Sequence, residues 1–388
     1  MKTLTDIQWD TPGRLDALLT QIDRPVADTL DRALCGRELS FDDGMRLART
    51  RGRELEALVL AADRVRRNRV GDVITYVVNR NINFTNVCFV GCRFCAFSRA
   101  PRQPDAYFHS FEEIQRRAVE AWAMGAREVC VQGGLPRDLE PFYYRDLLRA
   151  IKAATPKMHI HAFSPMEVVY GVELTKMPLK DYLAMLKDAG LGTLPGTAAE
   201  ILDDDVRHQI ERIKLKVSQW LDVIKTAHRL GIRTTSTMMY GHTESEEHWV
   251  RHLMLLREVQ KETGGFTEFV PLGFVHEFTQ LYRSGDARPG PTIEEHLKVH
   301  ALSRLMLQGW IDNIQVSWVK MSREITQACL RAGANDYGGT LMNENISREA
   351  GSTSGEYLAP EEFHARIREL GRIPAERTTL YEIVRVYG

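Results

Sequence analysis

Residues 110–134 read SFEEIQRRAVEAWAMGAREVCVQGG. Ser110, followed three residues on by Glu113, has the spacing of a capping box, in which two side chains satisfy backbone N–H groups that a helix start leaves unpaired. The helix predicted from it stops near Gly125, because a glycine accepts the left-handed conformation with which such helices end. EVCVQGG then reads as a buried strand closed by a glycine pair. Helix, glycine and strand in that order make one unit of an alternating α/β fold.

The same order recurs along the chain. A helix over 144–154 leads to HIHAFS at 159–164, and one over 178–189 ends at Gly190 before GTLPG. Another over 218–230 ends at Gly231 before RTTSTMMYG, and one around 248–263 precedes EFVPLGF. Thr292 and Glu295 cap a helix that runs into NIQVSW, and upstream VVNRNINFT reads as the first strand. Seven or eight such units without two-residue hairpin turns imply a parallel sheet. Right-handed crossovers put every helix outside if the sheet closes, so a (β/α) TIM-type barrel is the expected fold, with a doubly wound open sheet as the alternative. Residues 1–72, with apolar residues at three- and four-residue spacing in DALLTQI, VADTLDRAL and ELEALVLAADRV and a capping-box variant at Ser40–Asp43, form an N-terminal helical extension. The barrel is expected over 73–345, and 346–388 form a C-terminal extension packed on it, with a helix from Pro360 and one short strand.

The 388 residues are 44% hydrophobic with a formal charge of −1, enough to bury a large core and too balanced to favour nucleic acid or an anionic membrane. No apolar run reaches the roughly 20 residues that span a bilayer. The opening MKTLTDIQWDTPGRL lacks the basic and apolar regions of a signal peptide. A soluble, cytoplasmic protein is expected.

Of six cysteines, Cys35, Cys130 and Cys329 stand alone and read as buried thiols. Cys88, Cys92 and Cys95 form C-x3-C-x2-C. Fully extended, those seven steps would span about 23 Å, so the loop must curl for three sulfurs to face one centre, and Gly91 supplies the freedom. A structural zinc site wants four ligands and would have to borrow His109 or His161; a ferredoxin-type cluster wants four cysteines. Three thiolates suit a [4Fe-4S] cluster with one iron left open.

C-x3-C-x-Φ-C with Phe94 before the last cysteine, after the first strand of a βα barrel, resembles the radical SAM superfamily. The resemblance implies S-adenosylmethionine (SAM) on the open iron and one-electron cleavage to a 5′-deoxyadenosyl radical. It implies SAM contacts at Phe94, at the backbone of Gly133 and Gly134 (where Leu135 replaces an expected glutamate), at Glu200 for the ribose, and at Tyr240 and Glu244 in a partly matched adenine motif. From the residues alone, the glycine pair reads as a turn needing φ > 0, Glu200 as a helix-start acid and Glu244 as structural. His161 and His276, at strand ends, are candidates for moving a proton near neutral pH, against the plainer reading of satisfied structural groups. Met238, Met239 and Met254 read as core filler.

INFTNVC, HIHAFSP, LPGTAAEIL, ARPGPT, AGANDYGGTLMNE and the closing RTTLY resemble one group within that superfamily: CofH, aminofutalosine synthase and cyclic dehypoxanthine futalosine synthase, with CofH, an FO synthase subunit, the most similar. This implies a transferase coupling the 4-hydroxybenzyl group of L-tyrosine to 5-amino-6-(D-ribitylamino)uracil in coenzyme F420 biosynthesis, with a separate CofG-like subunit as pathway partner and flavodoxin or ferredoxin as electron donor. The futalosine-pathway enzymes of menaquinone synthesis are the alternative, and a zinc-stabilised binding barrel is the alternative of another class. Gly273, where proline is usual, and EFTQLYRSGD depart from the group's pattern. Asn335, Asp336, Thr340, Asn343 and Glu344 are the candidate substrate contacts, against a plainer reading as loop-forming residues.

Overall fold

The computed structural model describes residues 9, 11–197, 199–211, 213 and 215–388. Residues 1–8, part of the opening on which the signal-peptide reading rests, and Ala198 of LPGTAAE lie outside it.

A near-continuous first strand, β1 (Val73–Val77) and β2 (Asn79–Asn83), is followed by β3 (Glu128–Gln132), β4 (His159–Ala162), β5 (Thr193–Leu194), β6 (Arg233–Tyr240) and β7 (Phe266–Gly273), paired in parallel in that order from β2 to β7. The next stretch, NIQVSW, joins only through isolated bridges: Gln315 N donates to Phe269 O at 3.0 Å and Val316 N to Asp336 O at 2.9 Å. Asp336 opens β8 (Asp336–Gly339), which pairs with β1 through Thr75. The ring therefore closes, and the open-sheet alternative is set aside. Helices at Phe111–Ala123, Tyr143–Ala154, Leu179–Asp188, Val217–Arg229, Glu246–Thr263 and Ile293–Leu307 match the expected units to within a few residues.

Local signals behave as their chemistry predicts, with instructive exceptions. Thr292 and Glu295 exchange both bonds of a capping box, as do Ser40 and Asp43. Ser110 accepts only from Glu113 N, because the Glu113 carboxylate turns to Arg116 and Arg117 instead. A helix the sequence reading missed, Pro165–Thr175, starts at a full Ser164–Glu167 capping box with proline in its first turn.

Four N-terminal helices (Arg14–Leu19, Arg24–Leu34, Phe41–Ala48 and Gly52–Val70) gather beside the barrel, the last two against the outer helix Ile293–Leu307. At the other end of the chain lies the largest surprise. Instead of one short strand there are two, β9 (Ile373–Arg377) and β10 (Ile383–Val386), antiparallel to each other. β9 runs parallel to β1 from Val73↔Ile373 to Tyr76↔Glu376, so the first strand pairs with β9 over its first half and with β3 over its second. Residues just past β9 are thereby carried under the barrel.

Candidate active site

β2 ends at Asn83 and the chain turns over the C-terminal mouth of the barrel, where barrel active sites sit. The cysteine loop is fastened there by its backbone. Cys88 N donates to Arg99 O at 3.1 Å, Phe89 N to Leu135 O at 3.0 Å, Arg93 N to Ile210 O at 3.0 Å and Cys95 N to Cys92 O at 3.1 Å. Gly91 has φ +66°, the left-handed turn its position required. Arg93 anchors the loop sideways, giving bonds to Gln209 O, Ser284 Oγ and Asp286, and Leu281 N returns one to Arg93 O at 2.8 Å. The unusual EFTQLYRSGD segment thus clamps the cysteine loop.

The glycine pair after β3 serves a purpose different from the one expected. Neither Gly133 nor Gly134 has positive φ. They are small because the cysteine loop lies on them: a Cβ on Gly134 would stand 2.2 Å from Val87 O and 3.0 Å from Cys88 Cβ, and one on Gly133 2.6 Å from the Phe84 ring. Gly134 N also donates to Thr85 O at 2.8 Å, and Gly133 N to Glu167 Oε1 at 3.1 Å. Glu167, whose other oxygen accepts from Ser164 N and Oγ, ties the glycine turn to the helix after β4.

Beneath the loop is a cavity of about 420 Å³. Cys88, Cys92, Cys95 and Phe94 line its mouth together with Gly133 and Gly134. All three thiols are half-buried and free of disulfides. Among the described residues no three His, Cys, Asp or Glu side chains converge as a single-ion site. The three-thiol donor set lining the cavity fits a [4Fe-4S] cluster with bound SAM. His109, a possible zinc ligand by sequence, is stacked on Tyr107 with centroids 4.5 Å apart and does not line the cavity.

Glu200 also faces the cavity. It is 5% exposed and holds φ +41°, a conformation costly for any residue whose Cβ crowds the backbone there. His161 lines the cavity deeper down, its Nδ1 2.7 Å from Thr193 Oγ1. Burial pushes its pKa down to about 4 against the pull of Glu128, so at neutral pH it is an uncharged imidazole and not the near-neutral acid expected. Glu344 lines the cavity and accepts from Ser347 N, beside Lys320, whose Nζ bonds Ser347 Oγ at 2.8 Å.

The other sequence candidates do not reach the cavity. Tyr240 is fully buried with its hydroxyl 2.7 Å from His296 Nδ1, on the helix side of β6. Glu244 braces the turn after β6, accepting from Gly241 N, His242 N, Trp249 Nε1 and Arg288. His276 packs on Tyr282, outside the cavity. Asn335 bonds Arg304 and Ile314 N; Thr340 bonds both backbone groups of Asn79; Asn343 bonds Arg80 on the surface. Asp336 is paired with Arg377 by two hydrogen bonds, 2.5 and 2.9 Å long, below the cavity. Glu344 is the one member of that cluster in the cavity wall. Cys35 is exposed and Cys130 lines the cavity, so of the three solitary cysteines only Cys329 is a fully buried thiol.

The lining residues missed by sequence reading alternate along strands: Asn79 and Asn81 in β2, Glu128, Cys130 and Gln132 in β3, Thr235 and Thr237 in β6. Polar residues at period two inside buried strands were the available signal, since alternate side chains of a barrel strand point inward.

Fold and site together define a (β/α)-barrel enzyme with a three-thiol cluster loop over a deep cavity. The chain matches the radical SAM superfamily over residues 82–256 and the CofH/MqnC C-terminal region over 263–387. It is 52% identical over 326 residues to the 5-amino-6-(D-ribitylamino)uracil–L-tyrosine 4-hydroxyphenyl transferase of Methanocaldococcus jannaschii, covering 83% of this chain and 91% of that one. With the FO synthase of Nocardia farcinica it shares 54% identity over 376 residues, 97% of this chain but 43% of that protein, so it spans less than half of that relative. Methylornithine synthase (PylB), at 19% identity, has the same fold with a TM-score of 0.68 over 89% of this chain and 97% of that one. The chain belongs to the radical SAM superfamily, in the group that carries the CofH/MqnC C-terminal region. No helix among the described residues is long and apolar enough to cross a membrane.

Proposed function

We propose that this chain is the transferase that moves the 4-hydroxybenzyl group of L-tyrosine onto 5-amino-6-(D-ribitylamino)uracil, the first half of FO synthesis. The observation that carries the reading is the three-thiol loop over the barrel cavity, in a chain 52% identical across nearly the whole of a relative bearing that activity in its name.

Cys88, Cys92 and Cys95 would hold a [4Fe-4S] cluster, with SAM against Phe94, the Gly133–Gly134 backbone and Glu200. When bound, cluster and SAM supply a 5′-deoxyadenosyl radical. The protein's share is orientation and exclusion of water. The glycine turn lets the cysteine loop lie directly on backbone. Glu200, locked in its turn, offers a carboxylate to paired hydroxyls. Lys320, beside Glu200 and Glu344, offers opposite charges to an amino-acid zwitterion at the same level of the cavity. A CofG-like enzyme would take the product onward, and a flavodoxin or ferredoxin would deliver the electron.

The test is anaerobic incubation of reconstituted protein with reductant, SAM, tyrosine and the ribityluracil, followed by mass spectrometry. 5′-Deoxyadenosine and a tyrosine-dependent product carrying the ribityl chain are expected, and Cys92→Ala should lose iron, colour and both products. Product formed only with a futalosine-pathway substrate would reject this assignment.

A further inference from the structure

Below the level of the cluster loop the barrel wall sets several polar side chains among its apolar ones, where such barrels are ordinarily packed with Val, Ile and Leu. Asn81, Cys130 and His161 stand in register on neighbouring strands, with Glu128 and Glu268 beneath them. The C-terminal segment closes this floor. Thr379 Oγ1 donates to Glu128 Oε2 at 2.5 Å, and Asn79 Nδ2 to Glu128 Oε1 at 2.8 Å, so both oxygens of Glu128 are occupied.

Glu268 is different. Gln315 Nε2 at 3.0 Å, Arg377 Nη2 at 3.5 Å and the Tyr381 hydroxyl all converge on Oε2. Glu268 also lines the cavity. Asn81 is the orphan of this floor: its Oδ1 is buried, meets no donor among the described residues, and belongs to a cavity-lining side chain. A buried acceptor left unmet costs stability that a donating ligand recovers. A buried acceptor without a donor, beside a carboxyl whose three protein donors all meet one oxygen, therefore calls for a molecule rich in O–H and N–H groups. The floor's only cation, among the described residues lining it, is Arg377, and Asp336 already holds it with two bonds. A ligand carboxylate would meet Glu128 and Glu268 there with no free positive charge.

We propose that this floor is the subsite for the polyhydroxylated pyrimidine, with Asn81 Oδ1 receiving one of its hydroxyl or N–H donors and the Glu268 carboxyl exchanging a hydrogen bond with another, thereby selecting it over the amino acid. The inference rests on the proposed reaction, whose second substrate is a zwitterion better suited to the Lys320–Glu344 level above. Gln315, Arg377 and Tyr381 are positioning residues that fix Glu268.

The test is anaerobic titration calorimetry of cluster-loaded protein with 5-amino-6-(D-ribitylamino)uracil, alongside KM values for both substrates, in wild type, Asn81→Ala and Glu268→Gln. Among the described residues Asn81 Oδ1 meets no donor, so its truncation removes no bond to that oxygen. Each variant is expected to weaken the ribityluracil about tenfold, which is about 1.4 kcal/mol, and raise its KM, while the tyrosine KM stays within about twofold and the pyrimidine-independent cleavage of SAM persists. Ribityluracil affinity within about twofold of wild type in both variants overturns the subsite and leaves the proposed reaction standing. A rise confined to the tyrosine KM also overturns it, by placing the amino acid on the floor. Wild-type protein that does not bind the ribityluracil at all overturns both subsite and reaction.

Discussion

Replacing Gly134 with alanine should detach the cysteine loop without touching a cysteine. The added Cβ would lie 2.2 Å from Val87 O, 2.7 Å from Val87 C and 3.0 Å from Cys88 Cβ, the first two of which are backbone and cannot rotate away. Relief to ordinary contact needs a shift of about 1 Å, a distance that strains both the Gly134 N–Thr85 O bond (2.8 Å) and the Phe89 N–Leu135 O bond (3.0 Å). Overpacking of this kind costs about 1–3 kcal/mol. With unfolding entropy of about 2.1 cal/mol/K per residue over 388 residues, the melting temperature of the apoprotein should fall by about 1–4 °C. The same shift moves Cys88 away from its partners, so iron retained after reconstitution should drop well below that of wild type. Differential scanning fluorimetry of the apoprotein and iron analysis of the reconstituted protein read the two effects separately. An alanine variant with unchanged melting temperature and full iron content would refute the claim that the glycine pair is dictated by the proximity of the loop.

The Arg377–Asp336 pair should be structural: Arg377→Met leaves Asp336 without its cation and should cost about 3–5 kcal/mol in urea unfolding, and a loss below about 1 kcal/mol would contradict that. Glu244→Ala removes the acceptor of four donors around the β6 turn and should cost at least about 1–3 kcal/mol; activity lost with unchanged stability would return Glu244 to the ligand-binding role the sequence suggested. Acid should destabilise the fold, since burial depresses His161, His228 and His300 to about 4 and His252 and His296 to about 3. The unfolded chain takes up those protons near pH 6.5, so stability present above that value is lost as pH falls toward the folded values, about 1.3 kcal/mol per histidine between pH 7.5 and 5.5. Glu268 runs the other way: burial raises it to about 7, and its contribution, complete below its unfolded value, fades as pH rises through 7, returning about 2 kcal/mol over the same acidification. The net change is a fall in the urea midpoint by pH 5.5, and a flat profile would be inconsistent with these burials.

Signals acting over a few residues were legible before any coordinates. The capping pair Thr292–Glu295, the glycine at 231 that ends a helix, and the spacing of Cys88, Cys92 and Cys95 each follow from backbone geometry inside one turn or loop, and they sufficed for the alternating units and the cluster loop. Polar residues after strands were harder to place. Asn335, Asp336 and Thr340 look like ligand contacts in a list of residues, yet each is consumed by a neighbour far away in sequence, Asp336 by Arg377 and Thr340 by Asn79.

What the amino-acid order determined alone is the set of pieces: which stretches are strands, which are helices, and which loop can carry three thiolates. Only closure of the ring decided that β9 lies beside β1 and that Thr379 meets Glu128 across 251 residues and Tyr381 meets Glu268 across 113. Hydrogen bonds within a turn depend on local dihedrals, which side chains bias directly. Contacts between distant residues depend on how whole strands register against one another, and that register is set by packing of the complete barrel.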